Sequence, residues 1–196
     1  MSVSENDNPI VIFKDWLCEA EALEPKNPNA MALATSGSDN RPSVRMVLLK
    51  EVDERGFVFY SNAESRKGLE IEVNAFASLC FYWKTLGRQV RIEGSVKTVS
   101  DQEANDYFES REVGARLGAW ASAQSRPMSE RFDLEKQIAI FAAKYKTGAV
   151  PRPDYWRGYR VIPDSIEFWI ERKSRLHDRY LFQKGAKDWD MVRLFP

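Results

Sequence analysis

The chain has 196 residues, 43% of them hydrophobic, with Lys+Arg and Asp+Glu both counting 29 and a formal net charge of +0. That length suits one domain with a sizeable core, and the even charge balance argues against a general nucleic-acid binder, although it leaves room for a local basic cleft. Cys18 and Cys80 lie far apart and His177 is the only histidine, so no zinc set is offered and the cysteines are expected to be small buried hydrophobes.

The start, MSVSENDNP, is polar and acidic, and residues 1–8 are expected to be flexible. No apolar run approaches the roughly 20 residues of a membrane helix, which predicts a cytoplasmic protein. Asn8-Pro9 followed by Phe13, Leu17 and Ala20 predicts a capped helix ending before Pro25. Strand-like runs follow at Ala30 to Thr35, Ser43 to Val52 and Phe57 to Ser61, separated by turn-rich segments. Asn62 is expected to cap a short helix running through Val73, and Ala77 to Trp83 with Gln89 to Val99 form a further strand pair. In the latter strand Val90 and Ile92 face one side, and Gln89, Arg91 and Glu93 the other. Ser100 and Glu103 have capping-box spacing for the helix containing Tyr107 and Phe108.

The segment VGARLGAWASAQSRP is less regular, and Ser129 is expected to cap a long amphipathic helix stopped at Gly148, with Leu134, Ile138, Phe141, Ala142 and Tyr145 on its apolar side. The remainder reads as strands Arg157 to Ile162, Ser165 to Ile170, Arg175 to Gln183 and Trp189 to Leu194, with turns at Pro163-Asp164 and Lys184-Gly185. Nothing divides the chain, so residues 1–196 are expected to form one domain. Many short strands with a few separate helices indicate an α+β antiparallel barrel.

Phosphate cradles of the GxGxxG and GxxxxGK[ST] kinds are missing, as is a GxSxG elbow. A triad through His177 would need an imidazolium beside Arg175 and Arg179, whose charges disfavour it. If that stretch is extended, Arg175, His177 and Arg179 share a face, which suits a solvated edge strand and an anion site equally. Further cations stand in strands and turns. Arg66-Lys67 beside a helix N-terminus suit a phosphate. Arg45 and Lys50 differ by an odd number of positions, so they serve two anions or a bulge brings them together.

Taken in order, RMVLLK, FVFYSNAESRKG, RQVRIEG, LGAWASAQS, PRPDYWRGYRV, IEFW and RLHDRYLF closely resemble the pyridoxine/pyridoxamine 5′-phosphate oxidases, from about Asn29 to Pro196. The resemblance implies a split β-barrel of the FMN-binding type. It also implies a homodimer with FMN at the interface and oxidation of pyridoxine or pyridoxamine phosphate to pyridoxal phosphate, with O2 reduced to H2O2. By motif position, it implies that Arg45, Lys50, Tyr60, Ser61, Arg66, Lys67, Gln89, Gln124, Ser125, Trp169 and Arg179 bind FMN. Lys50, Tyr107 and Arg111 are implied to hold the substrate phosphate, and Arg175 and His177 to act over the pyridine ring as the catalytic pair.

Three departures stand out. Ala115 replaces the usual serine of an RxxxS segment, the basic N-terminal arm of some members is not recognisable, and Gly87 replaces a charged residue common before RQV. Two other readings of the barrel are a flavin-binding protein without catalysis, which would lose the substrate set, and an RNA binder, which the neutral charge and missing RNP-like segment disfavour.

Overall fold

The computed structural model describes residues 4, 7–146 and 149–196. The flexible stretch expected over residues 1–8 therefore lies mostly outside the described residues, and so does the helix stop expected at Gly148. No helix among the described residues is long and apolar enough to cross a membrane.

Among the described residues, nine antiparallel strands form one curled sheet in the split-barrel manner, in the order β2-β1-β5-β6-β7-β4-β3, with β8 on β7 and β9 on β8. The strands are β1 (Ala30–Ser36), β2 (Pro42–Leu48), β3 (Glu51–Asp53), β4 (Gly56–Asn62), β5 (Phe76–Trp83), β6 (Arg88–Thr98), β7 (Trp156–Ile170), β8 (Asp178–Lys184) and β9 (Trp189–Leu194). The helices are α1 (Pro9–Leu23), α2 (Arg66–Val73), α3 (Asp101–Ser110), α4 (Val113–Ala121) and α5 (Asp133–Lys144).

Helix α1 begins as expected, with the Asn8 side chain accepting from the Ile10 N–H and Pro9 in the first turn. It covers the concave core: Phe13 meets Phe57 and Phe81 edge-on at 4.9 Å each, and Trp16 meets Phe168 at 5.1 Å. These rings are fully buried, and burial of each aromatic is worth about 1.5–3 kcal/mol. Arg88 closes the helix from β6, pairing with Glu19 at 2.9 Å and lying 4.6 Å from the Trp16 ring. The cysteines depart from expectation, since Cys18 is exposed and Cys80 half-buried.

Several boundaries differ for local reasons. The strand expected over Ser43 to Val52 breaks at Leu49-Lys50, where the Leu49 N–H donates to Asn29 and the Lys50 N–H to Val58, so the chain passes from one strand partner to another. Ser65, not Asn62, occupies the cap of α2, while Asn62 Oδ1 accepts from the Glu64 N–H at 2.7 Å in the preceding turn. The capping box of α3 forms as expected. Within the segment read as irregular, residues 113–121 form α4, a helix that its two glycines conceal.

Helix α5 starts at Asp133, whose carboxylate accepts from the Ser129 and Glu130 N–H groups, so Ser129 is not its cap. Its apolar side is only partly covered: Phe141 and Tyr145 pack on Trp120 at 5.5 and 5.7 Å, whereas Leu134 and Ala142 are exposed.

No turn divides β7. Its pairing with β6 shifts register between Glu93 and Gly94, leaving Asp164 as the extra residue of a bulge, and the strand runs on through Pro163. Finally, Lys173–Arg175 form a 3-10 turn and β8 begins only at Asp178, with Ser174 and Arg175 at φ 57° and 61°. The single-face reading of Arg175, His177 and Arg179 fails, because only Arg179 lies in a strand. In the turn between β5 and β6 Gly87 has φ 56°, a left-handed conformation that glycine adopts without strain.

A Cβ at Gly94 would meet the Ile162 carbonyl oxygen at 2.0 Å, a backbone atom that cannot move aside alone. Gly94→Ala is therefore expected to lower stability by about 1–3 kcal/mol, read as a reduced midpoint in urea unfolding; an unchanged midpoint would contradict the close packing of β6 on β7.

Candidate functional site

Strands β2 and β4, the start of α2, the end of α3 and the loop after α4 surround a cleft of about 910 Å³. From α2 and β2, Arg45, Arg66 and Lys67 reach it. Ser61, Gln124 and Ser125 lie beside them, while Lys50, Tyr60, Tyr107 and Arg111 line the rest. Lys50 stands just past the break after β2, so strand alternation no longer opposes its sharing a cleft with Arg45.

One group is joined by hydrogen bonds. Lys67 Nζ donates to Ser61 Oγ at 3.0 Å, Ser65 Oγ at 2.9 Å and Gln124 Oε1 at 2.8 Å. Burial, reinforced by the charge of Arg45, lowers the Lys67 ammonium to about 8. Arg66 donates from Nε to Glu70 Oε1 at 2.8 Å. Arg45 is drawn back into the protein: Nη1 donates to Leu33 O, Thr35 Oγ1 and Ser43 O, and Nη2 to Ser43 Oγ and to Glu70 Oε2. Ser125 holds φ 70°, which turns the loop at the cleft edge.

The other group is built on aromatic faces. Tyr60 stacks on Tyr107 at 4.1 Å and on Trp156 at 5.0 Å, with ring planes 10° and 8° apart. Burial, followed by the charges of Glu51 and Glu103, raises the Tyr60 hydroxyl to about 12, so it stays protonated. Lys50 Nζ lies 5.8 Å from the Tyr107 ring, and the Arg111 guanidinium 5.0 Å from Trp156 and 5.4 Å from Phe108. Arg111 Nη1 and Arg116 Nε are buried without hydrogen-bond partners among the described residues. Burial also lowers the Arg111 pKa. An orphaned guanidinium nitrogen beside a cleft suits an anion, since a buried unpaired donor is costly. Ala115 lines the same cleft.

The remaining expected residues gather elsewhere. Gln89 pairs with Trp169 across β6 and β7, and Trp169 with Arg179 across β7 and β8. The His177 ring lies 4.4 Å from Trp169, and its Nδ1 accepts from the Arg172 N–H at 3.2 Å. Glu167, only 3% exposed, holds Arg179 at 2.8 Å and Arg91 at 2.5 Å. None of Gln89, Trp169, Arg175, His177 or Arg179 lines the cleft of the same chain. Sequence reasoning missed Trp156 and Glu70. A lone tryptophan reads as core, but Glu70 stands four residues after Arg66, a spacing that does signal a helix-surface ion pair.

Residues 19–141 match the family described as pyridoxamine 5′-phosphate oxidase, and residues 156–196 match the pyridoxine 5′-phosphate oxidase C-terminal dimerisation region. A pyridoxine/pyridoxamine 5′-phosphate oxidase of Brucella anthropi is 56% identical, covering 98% of this chain and 96% of that protein. Among solved structures, PhzG from Burkholderia lata 383, in complex with tetrahydrophenazine-1-carboxylic acid, superposes with a TM-score of 0.91 at 34% identity, over 96% of this chain and 93% of that one. A pyridoxamine 5′-phosphate oxidase-related, FMN binding protein from Nostoc punctiforme shares the fold, with a TM-score of 0.76 at 16% identity over 98% of this chain and 100% of that one. With both family regions matched in order and more than half of all positions shared with a full-length relative, the chain belongs to the pyridoxine/pyridoxamine 5′-phosphate oxidase family.

Proposed function

We propose that the protein oxidises pyridoxine 5′-phosphate or pyridoxamine 5′-phosphate to pyridoxal 5′-phosphate, using FMN and passing the electrons to O2 as H2O2, with water releasing the nitrogen of the amine substrate as ammonia. The observation that carries this reading is the meeting, in one cleft, of two cation groups of different construction, one hydrogen-bonded and one aromatic-backed. Two phosphorylated molecules need two such anchors. A barrel that only stored flavin would have no use for the second.

The residues present fit the cofactor. Arg45, Ser61, Arg66 and Lys67 would hold its phosphate, with Gln124, Ser125 and Tyr60 beside them, because a dianion is best met by several converging donors. When bound, FMN supplies the two-electron acceptor that takes hydride from the substrate C4′ at N5 and is reoxidised by O2.

Lys50, Tyr107 and Arg111 fix the substrate phosphate at the other end. The substrate is then oriented by its phosphate, and much of the rate comes from holding the reacting carbon in place. Gln89, Trp169, Arg175, His177 and Arg179 lie on or against the C-terminal dimerisation region. In the homodimer they complete the cleft of the partner subunit, with Gln89, Trp169 and Arg179 against the flavin. Arg175 closes the pyridine face and His177 orients ring substituents. No nucleophile is required, and His177 acts as a contact rather than a base.

Three outcomes test this assignment. Arg175→Ala is expected to lower kcat on the order of tenfold to hundredfold while FMN affinity, read by flavin fluorescence, stays near that of the parent; equal turnover of pyridoxine phosphate in the two proteins sinks the role. Restoring the family hydroxyl with Ala115→Ser should add one neutral hydrogen bond and tighten substrate binding by roughly 2- to 12-fold; an unchanged dissociation constant would argue against it. Because phosphate favours the charged form of Lys67, FMN affinity should be fullest below pH 8 and fall as pH rises through about 8. Titrations at several pH values, with Lys67→Met losing that inflection, measure this.

A further inference from the structure

Glu70 lies behind the cleft, on α2, and is absent from its lining. The residue is 9% exposed, and its carboxylate is the meeting point of two arginines that do line the cleft. Oε1 accepts from Arg66 Nε at 2.8 Å. Oε2 accepts from Arg45 Nη2 at 3.2 Å and from the hydroxyls of Thr35 and Ser43 at 2.5 Å each. One side chain thus ties β1, β2 and α2 together at the phosphate end of the cleft.

The donors left over matter most. Arg66 spends only Nε on Glu70, and among the described residues neither of its terminal nitrogens has a hydrogen-bond partner. Held at Nε, an otherwise exposed side chain keeps its planar fork in one orientation, so less rotamer entropy is lost when an anion arrives. Arg45 is in the opposite condition, since its terminal nitrogens are all engaged by protein acceptors. It contributes charge and its Nε, while Arg66 contributes the free fork.

Resting on the flavin reading above, we infer that Glu70 is a positioning residue that sets the phosphate selectivity of the cleft by fixing Arg66 through Oε1 and Arg45 through Oε2. The carboxylate cannot be replaced by its amide without loss. An amide must present an NH2 to one of two positions that both receive N–H donors, so one arginine is released. The carboxylate also remains charged. Burial opposes ionisation, but hydrogen bonds from Ser43, Thr35 and Arg66, with the charge of Arg45, outweigh it and hold Glu70 at about 2.

The test compares FMN with riboflavin, which has the same ring system and no phosphate, by fluorescence titration of the apoprotein. In the unsubstituted protein FMN should bind more tightly than riboflavin. In Glu70→Gln the FMN dissociation constant should rise at least about tenfold, with riboflavin shifted by less than about twofold, so that discrimination shrinks. In an Arg66→Met background Glu70→Gln should add less, because its action through that fork is gone and only its hold on Arg45 remains.

Should the Gln variant fail to fold by circular dichroism, Glu70→Asp keeps the charge but is one methylene too short to hold both arginines, and the same loss of discrimination is expected. If the parent prefers FMN and the folded variant keeps that preference, the role of Glu70 is overturned and the flavin reading stands. Equal loss for FMN and riboflavin overturns it as well, since that marks a general collapse. If the parent binds both flavins equally, the phosphate selectivity assigned to Glu70 is overturned, whereas if it binds neither, the flavin reading itself fails and takes this inference with it.

Discussion

Backbone pairing along β7 decides where both groups of site residues lie. Its first half binds β4, which sets Tyr60 opposite Gly158 and Asn62 opposite Trp156 at the cleft. The second half binds β8 while β6 runs along the other edge, and this places Gln89, Trp169 and Arg179 in one row. Because side chains alternate with a period of two, a slip of one residue would invert either row. The bulge at Asp164 changes the register between the two halves, so a single strand serves two surfaces that the alternation of a uniform strand would not align.

Crowding cations near a cleft is unfavourable unless something answers their charge, and here buried carboxylates do so from behind. Glu70 answers Arg45 and Arg66, and Glu167 answers Arg91 and Arg179. On the flank of α3, Arg160 is buried between Asp53 at 2.7 Å and Glu103 at 3.0 Å, which ties the helix carrying Tyr107 to the sheet. Exposed pairs such as Lys136 with Glu130 contribute little by comparison, since water screens them. Arg45 and Arg66 line the cleft with Glu70 behind them, whereas Arg91, Arg179 and Arg160 meet their acids outside its lining.

Features with a local cause were legible in the sequence. The Ser100–Glu103 box and the Asn8-Pro9 start depend on residues within one turn, and both formed as read. Part of the cleft lining was legible through the ordered motifs, which group Lys50, Tyr107 and Arg111, whereas Gln89, Trp169, Arg175, His177 and Arg179 of the same motif set lie outside it. What escaped was non-local. Pro163-Asp164 has the composition of a turn, yet pairing on both sides keeps that stretch extended. Arg175 sits in an alternating pattern, but a pair of left-handed residues takes it out of the strand. Glu70 had an ion-pair spacing with Arg66, while its contacts to Thr35 and Ser43 depend on strand register and cannot be counted along the chain.

The two left-handed residues before β8 have a consequence for how this protein can vary. Ser174 and Arg175 are both held where a Cβ crowds the backbone, and β-branched residues fit that region worst. Drift at position 174 is thus confined chiefly to glycine, asparagine, aspartate and other small side chains, whatever contacts they make. The segment that carries Arg175 is policed by main-chain geometry first and by side-chain chemistry second.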